Sequence, residues 1–77
     1  MSTPGTAAAE FGRRVRALRR ERGKSMEKLA WEADMSYRTL SDIELGRTPS
    51  PGLQIILKIA AALDADPSEF VTGLRPD

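Results

Sequence analysis

The stretch SMEKLAWEADMSYRTLSDIELG, residues 25–46, decides how this chain folds. Ser25 and Ser36 each stand before a run whose apolar residues recur at helical intervals: Met26, Leu29, Ala30 and Ala33 in the first, Leu40 and Ile43 in the second. Serine favours such positions because its hydroxyl accepts a hydrogen bond from an amide left free in the first helical turn. The spacing predicts two short helices, about 26–33 and 37–45, the second closed by Gly46, where a left-handed residue ends a helix. Helices this short are unstable alone and need neighbours. Arg38, Ser41 and Asp42 are then left facing outward.

Upstream, Ala8, Phe11, Val15 and Leu18 recur at three and four residues, predicting a helix from about Ala7 to Arg22 that Gly23 terminates. Arg13, Arg16 and Arg20 point away from its apolar stripe. Arg19 sits on the stripe's border, where a half-buried cation needs a partner. Downstream, the run Arg47-Thr48-Pro49-Ser50-Pro51-Gly52 is a loop by composition, followed by a fourth helix over 53–63. Leu53, Ile56, Leu57, Ala60 and Leu63 are expected on its inward face, with Ile55 and Ile59 spreading apolar surface around the side. Asp66, Pro67, Ser68 and Glu69 have the order of a capping box and open a short last helix through Phe70 and Val71, which Gly73 ends. The reading is all-α: a compact five-helix bundle with a helix-turn-helix. Residues 1–6 are expected to be a flexible leader, 7–74 a single domain and 75–77 a tail.

The 77 residues suffice for one domain and contain no cysteine and no histidine. Disulfides are excluded, and a zinc site would have to use carboxylates alone, so no metal or cofactor is expected. Nucleophile and base pairs commonly need His or Cys, and the carboxylates are scattered, which argues against an enzyme. The longest apolar run is far below a membrane span, and the first ten residues lack the pattern of a secretory signal. A cytoplasmic protein with no membrane partner and no evident small-molecule ligand is expected. The net charge of +1 hides an asymmetry: residues 1–38 carry +4 and residues 39–77 carry −3. Seven of the basic residues fall between Arg13 and Lys24, against one acid, Glu21. Such a cluster suits a polyanion; the plainer reading is a solvated helix face.

The intervals of Leu29, Ala30, Ala33, Met35, Leu40 and Ile43 match a helix-turn-helix, whose second helix projects from a compact body into a groove. With Arg16-Ala17-Leu18-Arg19, Gly23, Ile43-Glu44, Gly46-Arg47, Leu57-Lys58-Ile59-Ala60 and Ala62-Leu63, the chain resembles the phage repressor and Cro-type helix-turn-helix regulators, among them restriction-modification controller proteins. The resemblance runs from Phe11 to Phe70. It implies a lambda repressor-like DNA-binding domain whose second motif helix enters the major groove of double-stranded DNA.

Carried over by position, base contacts fall to Tyr37, Arg38, Ser41 and Asp42, and phosphate contacts to Arg14, Arg19, Ser25, Ser36, Thr39, Arg47 and Thr48. Arg38 leads, because a guanidinium bonds guanine O6 and N7 together. Arg19 has a second role by resemblance, an ion pair with Glu44, and both residues border apolar stripes. Two departures stand out: Met26 replaces the usual glutamine, and Asp34 replaces the usual turn glycine, which aspartate tolerates better than most residues. Trp31 points opposite the inward face, offering an interaction or covering the arginine stems of helix one. Similar proteins bind inverted repeats as two-fold dimers with recognition helices about 34 Å apart. Ile55, Ile59, Phe70, Val71 and Leu74 are the expected dimer interface. The implied function is a sequence-specific transcriptional regulator, a repressor or autoregulator; the competing class is a protein-interaction module, an antitoxin or adaptor on the same scaffold.

Overall fold

The computed structural model describes residues 6–77; the first five residues of the expected leader lie outside the described residues. Five helices follow one another: α1 Ala7–Glu21, α2 Met26–Glu32, α3 Tyr37–Glu44, α4 Leu53–Ala62 and α5 Ser68–Val71. Among the described residues there is no strand.

Side-chain caps open α1, α2 and α3. The Ser25 hydroxyl accepts from the Lys28 amide at 3.0 Å, and that of Ser36 from the Thr39 amide at 3.0 Å. Thr6, expected in the leader, instead opens α1 by accepting from the Ala9 amide at 3.1 Å. At α5 the reciprocal bonds of a capping box are present: Ser68 donates its amide to Asp66 Oδ1 (2.9 Å), and the Asp66 amide donates to Glu69 Oε2 (3.2 Å). The bond from the Ser68 amide holds the Asp66 carboxyl below its ordinary pKa.

Helices α1 to α4 end alike. After α1, the Lys24 amide donates to the Arg19 carbonyl and the Gly23 amide to the Arg20 carbonyl; the same two bonds recur at Met35 and Asp34, at Arg47 and Gly46, and at Ala65 and Asp64. These are Schellman motifs, and each needs a left-handed residue. Gly23 (φ 70°) and Gly46 (φ 74°) fill two, and Asp34 (φ 55°) and Asp64 (φ 53°) fill the others. Two cations reinforce the end of α4: Arg22 Nε donates to the Leu63 carbonyl (2.9 Å) and Lys24 Nζ to the Ala62 carbonyl (2.6 Å). Positive charge is favourable at a helix C-terminus.

Phe11, Val15, Leu29, Ala30, Ala33, Leu40, Ile43, Ile59, Ala60, Leu63 and Phe70 form one continuous core. Phe11 and Phe70 meet edge to face with centroids 6.1 Å apart, which seats α5 on α1. Helix α4 buries Ala60 and Leu63 as its apolar pattern suggests, but it is rotated away from that pattern at Leu53, Leu57 and Ile59. Ile59, Ala60 and Leu63 are buried, whereas Leu53 and Leu57 are exposed. A helix that is apolar nearly all round does not reveal its rotation by periodicity, because several orientations bury similar area. Two residues expected at the dimer interface are therefore core residues: Ile59 and Phe70 are sealed inside the monomer. Ile55 and Leu74 are half-buried and Val71 remains exposed. The tail touches the domain, with the Ala7 amide donating to Asp77 Oδ1 at 2.8 Å.

The closest approach between elements is where α1 crosses the end of α3. A Cβ added at Gly12 would stand 2.3 Å from the Ile43 carbonyl oxygen and 2.8 Å from that of Glu44. One turn earlier, a Cβ at Gly46 would meet Ala9 Cα at 2.9 Å. Further along α1, Arg19 grips Glu44 with two parallel bonds, Nε to Oε2 at 2.7 Å and Nη2 to Oε1 at 3.0 Å, while Nη1 donates to the Lys24 carbonyl at 2.9 Å. Both residues are buried. The bond to Glu44 raises the Arg19 pKa further, although burial acts against the charge. Every donor direction the guanidinium uses is aimed at an acceptor, the condition under which a buried pair is tolerated.

Gly12→Ala should destabilise the protein even though alanine is the better helix former, because the facing atoms are backbone and cannot rotate away. Overpacking of this kind costs about 1–3 kcal/mol, lowering the melting temperature by roughly 5–20 °C for a domain this small, and a melting curve at or above that of the parent would refute the close contact. Glu44→Ala leaves a buried guanidinium without its counter-charge, and the expected loss is about 3–5 kcal/mol. Urea titration followed by circular dichroism measures it; an unchanged midpoint would mean that the pair holds nothing together.

Candidate nucleic-acid interface

Helix α3 buries Leu40, Ile43 and Glu44 and turns its other side out. Tyr37 and Arg38 on its first turn are exposed, and Ser41 and Asp42 are half-buried beside them. The Arg38 side chain is 89% exposed, and its Nε lies 3.8 Å from Asp42 Oδ2, an open pair one turn apart. Exposed pairs of this type contribute only a few tenths of a kcal/mol, so the guanidinium is held lightly. All four residues expected to read bases thus lie on one accessible helix surface.

Around that surface lies a rim of small donors. The Ser36 hydroxyl caps α3 and donates its own proton to Thr39 Oγ1 at 2.9 Å, which leaves the Thr39 proton to be donated outward. Ser25 caps α2 while staying exposed, and Arg47 and Thr48 follow α3 directly, exposed and half-buried respectively. The two arginines of α1 expected at this rim are not there. Arg19 is buried, with three of its five N–H donors engaged by Glu44 and the Lys24 carbonyl. Arg14 faces the other way, its Nε bonded to Glu10 (3.1 Å) and its Nη1 to the Thr72 carbonyl (2.8 Å). It lies about 200° around α1 from Gly12, the residue that touches α3, because each helical residue turns about 100°.

Arg16 is the exposed arginine on the α3-facing side of α1. It lies one turn after Gly12 on the same side of α1, lines a hollow shared with Met26, Ser41, Glu44 and Leu45, and makes no side-chain hydrogen bond or ion pair among the described residues. The available signal was the interval from Gly12 to Arg16 and Arg19, which marks one stripe of the helix. The other cations of the basic cluster are mostly tied down: Arg13 and Arg14 hold Glu10, whose pKa falls through these bonds, and Arg22 and Lys24 cap α4. Lys24 also meets Glu32 at 2.6 Å and depresses its pKa. Trp31 is 84% exposed and does not cover the arginine stems.

A family model described as a helix-turn-helix domain matches residues 10–71 of this chain. The control protein C.BamHI of Bacillus amyloliquefaciens is 40% identical over 62 residues, which cover 79% of this chain and 75% of that protein. The HTH-type transcriptional regulator SlrR of Bacillus subtilis is 36% identical over 60 residues, 78% of this chain and 40% of the regulator. The chain spans less than half the length of the Bacillus subtilis regulators it matches. Among solved structures, the restriction-modification controller protein C.AhdI of Aeromonas hydrophila superimposes with a TM-score of 0.78 at 36% identity, covering 82% of this chain and 94% of that one. The crossing of α1 over α3, the two capped helices joined at Asp34, and a match over most of the length lead to one conclusion: the chain belongs to the helix-turn-helix domain family.

Proposed function

We propose that this chain is the DNA-reading domain of a sequence-specific transcriptional regulator, a repressor or autoregulator that occupies an inverted-repeat operator and acts in the cytoplasm. The observation that carries this reading is the accessible first turn of α3, where Arg38 stands almost wholly in solvent on a helix whose opposite face is locked to α1. A helix of this diameter fits the major groove, and a guanidinium at its start can bond one guanine through two acceptors. Tyr37, Ser41 and Asp42 would flank it at base edges, and Ser25, Ser36, Thr39, Arg47 and Thr48 would hold phosphates. The relatives' names as transcriptional regulators and control proteins support the assignment.

One recognition helix covers half of an inverted repeat, so the active species would be a homodimer. Leu53 and Leu57, one turn apart on the outer side of α4, and Val71 are exposed apolar residues available for self-association. Ile55 and Leu74, half-buried, would add to it. The rival reading, a protein-interaction module of the antitoxin or adaptor kind, draws on a different feature, the solvent-exposed Trp31 on the outer side of α2.

Selection from random duplex DNA at about 0.15 M salt separates the two readings, since specific and non-specific binding differ there by orders of magnitude. Recovery of an inverted repeat is the expected result; weak retention lost at modest salt would favour the rival. On the recovered site, Arg38→Ala should weaken binding by about 1–3 kcal/mol per half-site and relax the preference at one base pair. With about two phosphates neutralised per half-site, by Arg16 and Arg47, log K should fall with log salt at a slope near −4. Leu53→Glu, at the more exposed of the two leucines, should shift the sedimentation of the protein toward monomer. A parent protein that sediments as a monomer well above micromolar concentration would remove the dimer.

A further inference from the structure

On the side of α1 that crosses α3 there is a hollow of about 160 Å³ lined by Arg16, Met26, Ser41, Glu44 and Leu45. Three features of it are independent of the base-reading surface. Met26 and the exposed Leu45 give it apolar walls. Arg16 supplies a cation that no acid of the described residues neutralises. The carboxylate of Glu44, which would otherwise repel an anion there, has both oxygens bonded to Arg19. An anion joined to an apolar ring face fits this combination, and in the DNA-reading proposal the nearest such group is the backbone beside the groove that α3 enters.

We infer that Arg16, Met26 and Leu45 seat one deoxyribose-phosphate unit of each half-site. Arg16 binds the phosphate, and the two apolar side chains lie against the sugar, whose missing 2′-hydroxyl lets it contact them without burying a polar group. Ser41, which reaches both the hollow and the outer surface of α3, links this seat to the base-reading residues. The seat fixes how α3 is positioned along the groove, so it contributes to affinity evenly across sequences. This inference rests on the DNA-reading function proposed above.

Three substitutions and two chemical changes in the DNA test it, all on the duplex recovered by selection. Arg16→Gln should weaken binding equally on every selected sequence and make the slope of log K against log salt shallower by about one unit per half-site. Arg16→Lys should restore the slope, since the charge returns, and none of these exposed changes should move the melting temperature. Methylphosphonate placed one position at a time along the backbone should reveal one phosphate per half-site whose neutralisation weakens the parent protein at least fivefold and leaves Arg16→Gln unaffected. A ribose at that nucleotide should weaken the parent severalfold and matter less to Leu45→Gln. If Arg16→Gln keeps the full slope and the parent's methylphosphonate profile, the seat does not exist although the DNA-reading function stands. If the parent protein retains no duplex in the selection, both are overturned.

Discussion

The contact between Gly12 and the last carbonyls of α3 is the constraint on which the rest of this small protein depends. With no side chain between them, the two backbones approach so closely that even a methyl group at position 12 would clash with the Ile43 and Glu44 carbonyls. The Arg19–Glu44 pair lies further along the same crossing and adds direction, because two parallel bonds fix the plane of the guanidinium against that of the carboxylate. A helix of eight residues has little stability of its own. Its outward face, Tyr37, Arg38, Ser41 and Asp42, is defined by what holds its inward face, and a small rotation of α3 would carry Arg38 away from the outermost position.

The distribution of positive charge follows from the same economy. The cluster between Arg13 and Lys24 suggests a continuous cationic surface, but its members divide among separate tasks within the fold. Arg13 and Arg14 neutralise Glu10, Arg19 locks α3, and Arg22 and Lys24 complete the carbonyls at the end of α4. A chain of 77 residues without disulfides buries a modest core, and using cations to close helix ends supplements that core. Arg16, Arg38 and Arg47 stay in solvent around α3, so the field at the proposed DNA surface comes from a few placed charges more than from the net charge of +1.

Much of this was legible in the residues. Ser25, Ser36 and Asp66 announced helix starts, because a short polar side chain before an apolar stripe has one favourable use there. Gly23, Gly46 and Gly73 marked ends for the reason that a left-handed residue closes a helix, and Asp34 was readable as the fourth such position. Asp64 was not, since an aspartate after a leucine resembles any loop residue until the bonds from Asp64 and Ala65 to α4 are seen. The rotation of α4 was hidden by its uniform apolarity, which placed Leu53 and Leu57 inward and Ile59 outward, the reverse of the structure. Gly12 was passed over because a glycine inside a helical pattern reads as a mere weakness; only the approach of the Ile43 and Glu44 carbonyls shows its purpose. Arg14 was carried over by position, yet it and Arg16 differ in direction by more than half a turn, and only Arg16 shares the side of Gly12.

Asp42 connects fold and proposed function through electrostatics. A carboxylate beside the base-reading arginine opposes a polyanion at long range, yet Arg38 lies 3.8 Å away and offsets much of that field before any DNA arrives. Once Arg38 turns to a guanine, Asp42 loses this partner and must find another. Cytosine presents an amino group in the major groove that a carboxylate accepts, whereas thymine and guanine present acceptors that it repels. The two residues are therefore coupled: the arginine's choice of base releases an acid that tolerates few neighbours. In the proposed function, discrimination then arises as much from the repulsion of wrong sequences as from the attraction of the right one, which is how a surface of four side chains is selective with so little area.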